Sequence, residues 1–403
     1  MRSIMFTDVQ LERYADVLLW GLKTARKGGL HKKEVFLVRY NLPAVKLAEI
    51  LQARLLDMGM NPVLRADATP VMEHQFFNIA EPRQLVFQPA GEKIFYQHLN
   101  GSIFLHAPEA ITHLSHIDPN KIAKAVIARK YIRDVLEKRE EQALFSWTLC
   151  VFPTKALAKH AGLSQKDYTS QIVKSCFLNR RSPIDEWKRI FQNASEIKTW
   201  LNNMPVRYFH VESQHMDLRI TPGENRKWIG ISGHNIPSFE LFLSPDWRGT
   251  QGVYHADQPS FRSGNLVKDV TIRFNRGKAV EIKAKKGLAF IQKQLSMDQG
   301  AKKVGEFSLT DKRFSKINRF MANTLFDENY GGAFGNCHIA LGASYSDTYD
   351  GDTSKLTKKI KSKLGFNDSA LHWDLVNTEK KRVTAHLKDG QKKTIYENGK
   401  FKY

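Results

Sequence analysis

The sequence predicts two structural classes in tandem: an α/β N-terminal domain over residues 1–200, ending in a helical linker region, and an α+β C-terminal domain over residues 201–403. Three observations carry this. Strand-length apolar runs alternate with helical patterns in the first part of the chain. A charged, helix-patterned stretch follows, from about Asp118 to Trp200. Beyond it, short strand candidates are separated by turn residues. The 403 residues are enough for two or three domains.

Leu11, Tyr14, Leu18 and Leu22 fall on one helical face, with Ala15 and Val17 beside it. Val35 to Val38 is a strand-length apolar run. Pro43 then precedes a helical pattern of Val45, Leu47, Ile50, Leu51, Leu55 and Met58. Gly59 ends it, and Pro62-Val63-Leu64 reads as the next strand. This is a βαβ signature and predicts a parallel, Rossmann-like sheet, to which Ile103-Phe104-Leu105 adds a strand. The first strand-to-helix turn has no GxGxxG, so no dinucleotide is expected and no cofactor-binding residues of that kind are assigned. Ile122 to Glu137 predicts one helix. Pro183 and Trp187 open another, running towards Trp200. In the second half, Val206–Phe209, Leu218–Ile220 and Trp228–Ile231 read as strands. Val270–Phe274, Asn275-Arg276-Gly277 and Ala279–Ile282 read as a hairpin, since Gly takes the positive φ of a tight turn.

Hydrophobic residues make up 42% and charged residues 26%, which excludes a disordered or fibrous chain. The 62 Lys+Arg against 41 Asp+Glu leave a net +21, so nucleic acid or an anionic surface must be weighed as a partner. The 53 residues from Gly351 hold 13 Lys/Arg against 6 Asp/Glu, a run that reads first as a solvated face. Cys150, Cys176 and Cys337 are far apart, with no CxxC, which predicts reduced thiols in a cytoplasmic protein. The apolar run Val17–Trp20 is far shorter than a membrane span, and the acidic N-terminus does not read as a signal peptide.

The chemically informative residues are polar groups inside apolar strand-like segments. Glu240 sits between large apolar residues in Asn235–Phe242, and Glu306 does so in Val304–Leu309. Burying a carboxylate alone is costly, so each calls for a cation or a metal; a salt bridge to Lys or Arg would also serve. His338 leads the run Ile339-Ala340-Leu341. In Leu371-His372-Trp373-Asp374-Leu375, side chains at i and i+2 of a strand share a face, so His372 and Asp374 project together. They are either a hydrogen-bonded pair or two metal ligands. With Glu328 before the turn Tyr330-Gly331-Gly332, the carboxylates outnumber what one tetrahedral ion needs. Two ions sharing a carboxylate and a water would use them all.

The order and spread of these segments resemble the thermophilic-type metallo-aminopeptidase family (AmpS/PepS-like). Asn-x-Pro-x-x-Glu falls at Asn235–Glu240 and Gly-Glu at Gly305-Glu306. Leu-x-Asp-Glu-Asn falls at Leu325–Asn329, Cys-His-Ile-Ala-Leu-Gly-x-x-Tyr at Cys337–Tyr345 and His-x-Asp at His372–Asp374. The resemblance extends over most of the chain, including Trp147-Thr148 to Ala158 and Ala161-Gly162-Leu163. Ser238-Phe239 departs from it, standing where many relatives carry glycines. So does the longer glycine-rich stretch between Glu328 and His338.

The resemblance implies that residues 201–403 are a metallopeptidase catalytic domain. Glu240, Glu306, Glu328, His338, His372 and Asp374 would surround two divalent ions (Zn²⁺, Co²⁺ or Mn²⁺), and Tyr345 would be a ligand or a hydrogen-bond donor to the transition state. It further implies hydrolysis of the first peptide bond of peptides with a free N-terminus through a bridging water. Glu306 or Glu328 would carry the proton to the leaving amine. A cytoplasmic homodimer is implied, with neither membrane nor nucleic acid as partner. Two alternatives compete. One is a catalytically reduced basic protein binding nucleic acid or an anionic surface. The other is a dinuclear phosphoesterase, against which stands the presence of only two histidines, His338 and His372, in the set.

Overall fold

The computed structural model, which describes residues 5–403, realises the βαβ signature directly. Strand β1 (Val35–Tyr40) leads through helix Val45–Asp57 to β2 (Asn61–Ala66). With β3 (Gly101–His106), β4 (Ser146–Val151) and the short β5 (Asn235–Ile236) they form a parallel sheet in the order β2-β1-β3-β4-β5. The N-terminal helix Asp8–Thr24 is opened by a capping box between Thr7 and Gln10. It buries Leu11, Tyr14, Leu18 and Leu22, the face its sequence pattern marks. Helix Val45–Asp57 likewise buries Leu47, Ala48, Leu51 and Leu55.

Three expectations need correction here. The helix expected over Ile122–Glu137 is two helices, Pro119–Ala128 and Lys130–Glu141, because Arg129 leaves helical geometry with φ −98° and ψ 2°. β4 lies within the stretch read as helical. Helices Pro70–Ile79, Pro82–Leu85 and Glu92–His98 precede β3 and were not expected; each is short, and Pro sits in the first turn of the first two.

The chain divides into two compact units. One contains the parallel sheet and consists of residues up to Ile190 with Ile231–Ser238 and Met321–Leu325. The other consists of Phe191–Gly230, Phe239–Phe320 and Phe326–Tyr403. This second unit holds a nine-stranded antiparallel sheet, which includes the strands Val206–Glu212, Asp217–Ile220, Gln251–Ala256 and Arg382–Leu387. The predicted hairpin belongs to it: Asn265–Asn275 pairs with Lys278–Lys286. Arg276 and Gly277 turn at φ 49° and 76°. Trp228–Ile231 is not a strand. Only Ile229 makes an isolated bridge to Phe242, and the backbone turns at Gly230 and Ile231, with φ 143° and 53°.

The second unit also holds a four-stranded antiparallel sheet of β6 (Glu240–Leu243), β7 (Val304–Thr310), β8 (Asn336–Gly342) and β9 (His372–Asn377), in the order β9-β8-β7-β6. Every residue of β7 and β8 is buried. Alternation sorts their side chains onto two faces. Phe307 packs its ring 5.9 Å from Phe209 and 5.7 Å from Trp228, while its neighbours Glu306 and Ser308 take the opposite face. Among the described residues no helix is long and apolar enough to cross a membrane. The three cysteines are free and buried. Burial pushes the Cys150 and Cys337 thiols up to about 12, and raises that of Cys176 as well, so none is poised as a nucleophile.

A bulge breaks the β7–β8 register between Val304 and Glu306. A Cβ on the intervening Gly305 would stand 2.2 Å from the Ala343 carbonyl oxygen and 2.4 Å from that of Gly342, both backbone atoms with little room to move. Gly305→Ala is therefore expected to cost about 1–3 kcal/mol. This should appear as a lower urea midpoint at unchanged slope; an unchanged midpoint would mean that the bulge tolerates a side chain.

Candidate metal centre

The register of the four-stranded sheet explains why residues far apart in sequence meet. Glu240 pairs with Thr310, Ser308 with His338, Ala340 with both Glu306 and Asp374, and Gly342 with His372. Directly opposed residues share a face, as do residues two apart on one strand. Glu240, Glu306, His338, His372 and Asp374 therefore all project from one face. Ser308, Ala340 and Gly342 lie between them and are small, so the larger polar side chains converge without crowding.

The distances bear out the convergence. His338 Nε2 lies 3.1 Å from Glu306 Oε1, 3.2 Å from Glu240 Oε2 and 3.9 Å from Asp374 Oδ1. His372 Nε2 lies 3.7 Å from Glu306 Oε2 and 3.5 Å from Asp374 Oδ1. Two triads emerge, Glu240–Glu306–His338 and Glu306–His372–Asp374, in each of which one ligand atom per residue lies within 4.8 Å of the others. Glu306 belongs to both, turning one oxygen to each histidine. His372 Nδ1 engages the Ala343 carbonyl at 2.9 Å, which fixes the ring and leaves Nε2 for the centre.

Glu328 and Tyr345 stand differently. Glu328 is buried and follows the short helix Thr324–Asp327. Its backbone carbonyl accepts from Asn336 Nδ2 at 2.8 Å and from Thr310 Oγ1 at 3.2 Å. It is in neither triad. Its carboxyl still feels Glu240, Asp374 and Glu306 electrostatically. The Tyr345 ring lies 4.7 Å from that of His372 and 5.9 Å from that of Phe242. Two supporting residues escaped the sequence reading. Ser308 donates to Glu240 Oε2 at 2.8 Å, and its position two residues after Glu306 could have shown it. Arg262 donates to the His372 carbonyl at 2.8 Å and helps hold Asp374 ionised; nothing in its sequence surroundings signals this.

The electrostatics are those of a centre built for a cation. Burial raises Glu240 and Glu306 to about 8, against the opposing pull of His338 on the first and His372 on the second. Burial and the neighbouring carboxylates hold Glu328 well above the usual range. Burial would raise Asp374 too, but the charges of His372 and His338 hold it at about 2. Among the described residues, no Lys or Arg forms an ion pair with Glu240, Glu306 or Asp374. Buried acids repelling one another, with imidazoles at hand and no thiolate, fit a divalent cation.

The sequence profile of the thermophilic metalloprotease (M29) family matches residues 7–401. Aminopeptidase AmpS of Bacillus subtilis is 28% identical over 269 residues, 64% of this chain and 63% of AmpS. Aminopeptidase T of Thermus thermophilus is 28% identical over 308 residues, 72% of this chain and 73% of the relative. Aminopeptidase PepS of Streptococcus thermophilus is 23% identical over 414 residues, 96% and 97% of the two chains. The solved structure of wild-type AmpT from Thermus thermophilus superposes with a TM-score of 0.79 at 23% identity, over 98% of this chain and 99% of that one, and so shares its mixed α/β fold. The chain belongs to the thermophilic metalloprotease (M29) family, a family of metal-dependent hydrolases.

Proposed function

We propose that this metallo-aminopeptidase removes the N-terminal residue of peptides using two divalent ions held on one face of the β6–β9 sheet. The observation that carries the proposal is Glu306, whose two carboxylate oxygens face different histidines. Glu240, Glu306 and His338 would hold one ion, and Glu306, His372 and Asp374 the other, with Glu328 beside them. The aminopeptidase names of the relatives support the reaction. The second unit would then be the catalytic domain, and the parallel sheet of the first a Rossmann-like companion.

When bound, such ions would supply Lewis acidity to the attacking water and to the scissile carbonyl. The chain's own residues would do the rest. The two oxygens of Glu306 face different histidines, so the buried Glu328, which belongs to neither triad, is the carboxylate left to accept a proton from the attacking water and pass it to the leaving amine. The Tyr345 hydroxyl would donate to the developing oxyanion. A carboxylate oxygen not taken up by an ion would accept from the substrate's α-ammonium group, which would favour cleavage at the first bond.

Three results test this. The protein should release N-terminal residues from unblocked peptides but not from their N-acetylated forms; chelation should abolish release, and added Zn²⁺, Co²⁺ or Mn²⁺ should restore it. Internal cleavage of blocked peptides, or activity indifferent to chelator, would overturn the assignment. Tyr345→Phe should keep its metal content while kcat falls by about 10²–10³; an unchanged kcat would remove Tyr345 from the chemistry.

The third result concerns stability. In the metal-stripped protein, Glu240 and Glu306 hold protons in the fold up to about 8, whereas exposed glutamates lose theirs near 4.5. The unfolded chain thus releases protons first, and stability falls as pH rises through that window. The apo melting temperature should therefore decline from pH 5 to 8. Added divalent ion, which replaces those protons, should raise it most at pH 8. A flat apo profile would contradict the buried-acid account.

A further inference from the structure

His215, His255 and Glu379 form a third group in which one ligand atom from each lies within 4.8 Å of the others, and none of the three belongs to the centre described above. We propose that they constitute a separate site for a single borderline divalent cation of the Zn²⁺ or Ni²⁺ kind. The three come from separate segments of the second unit. His215 is in the turn between strands Val206–Glu212 and Asp217–Ile220, His255 is on strand Gln251–Ala256, and Glu379 follows β9. An ion there would tie these segments together.

The surroundings orient the donors as a metal site requires. Ser213 Oγ donates to Glu379 Oε2 at 2.5 Å, Asn377 Nδ2 at 3.1 Å and the His215 backbone N–H at 3.4 Å. That oxygen is therefore saturated, and the other, Oε1, is directed at His215 Nδ1. His255 Nδ1 is engaged by Thr271 Oγ1 at 3.0 Å, leaving Nε2 as the donor, the outer-shell arrangement typical of ligating histidines. The two imidazole rings stand 5.1 Å apart between centroids.

Glu379 Oε1 faces His215 Nδ1, so an ion would take the place of that hydrogen bond between the two donors. Among the described residues no Lys or Arg forms an ion pair with Glu379; the neighbouring Lys381 Nζ donates to the Glu379 backbone carbonyl, at 2.5 Å. The site is open to solvent, since the His215 side chain is 54% exposed. Two imidazoles and one carboxylate form the ligand set of an open zinc site, with remaining positions left to water.

The test uses the whole enzyme with its first centre already metal-loaded and freed of excess ion. Titration with ZnCl₂ by calorimetry should show one further ion per chain, with the melting temperature rising as zinc is added. His215→Ala, a change at a largely exposed side chain, should weaken this binding at least tenfold and remove the rise, and Glu379→Gln should do the same. Peptide hydrolysis by His215→Ala should match wild type, which separates failure here from failure of the catalytic assignment. No further ion in the wild-type protein, or zinc binding in both variants at wild-type affinity, would overturn the proposal.

Discussion

The mutual repulsion of several carboxylates, buried on one face of a sheet and deprived of water, is the constraint on which the rest of this structure depends. Ionised and alone, each would cost several kcal/mol to bury. The fold relieves that cost only in part, through His338, His372 and the Ser308 hydroxyl. The residual mismatch shows as acids held far above their ordinary range. A protein with no use for a cation would have a simpler remedy in leucine or glutamine at these positions. The arrangement makes sense as one completed by bound metal, whose affinity draws on the repulsion it relieves.

The surrounding architecture follows from that need. Carboxylates and imidazoles from four strands converge only if the register is fixed, and a slip of one residue would turn a strand's donors to the other face. The opposite face is locked by Phe307 against Phe209 and Trp228. The Gly305 bulge moves Glu306 into step with Ala340, opposite which Asp374 also lies. Small residues keep the space between the donors clear. Packing on one face and polarity on the other are thus two consequences of a single alternating pattern.

That pattern also decides what was legible in the sequence. The pairing of His372 with Asp374 follows from strand periodicity alone, and the isolation of Glu240 and Glu306 among apolar neighbours marks them as costly to bury. Their convergence does not follow, because register across strands is set by contacts between segments tens of residues apart. Glu328 lies outside the ladder, after a single helical turn, and periodicity says nothing of where it points. Arg262 acts through a backbone carbonyl, a contact open to any residue type at the partner position. In the fold, long periodic helices such as Asp8–Thr24 were visible, whereas the break at Arg129 and the turn at Gly230-Ile231 depend on backbone angles that composition does not reveal.

The net charge of +21 then takes a different meaning. Three of the acidic residues, Glu240, Glu306 and Asp374, converge on one face of the sheet and Glu328 is buried within their electrostatic reach, so the basic excess at the surface is larger than the formal total conveys. At physiological salt the field of exposed charges is screened over roughly 8 Å. The lysines of helix Lys358–Lys363 therefore act on what approaches the protein and fade as a guide within the site. Inside, fewer water molecules screen the carboxylates, and each charge acts more strongly on a neighbour. Local burial, more than overall charge, thus sets the electrostatics of this centre, and the carboxylates that dominate it are the groups a bound divalent cation would neutralise.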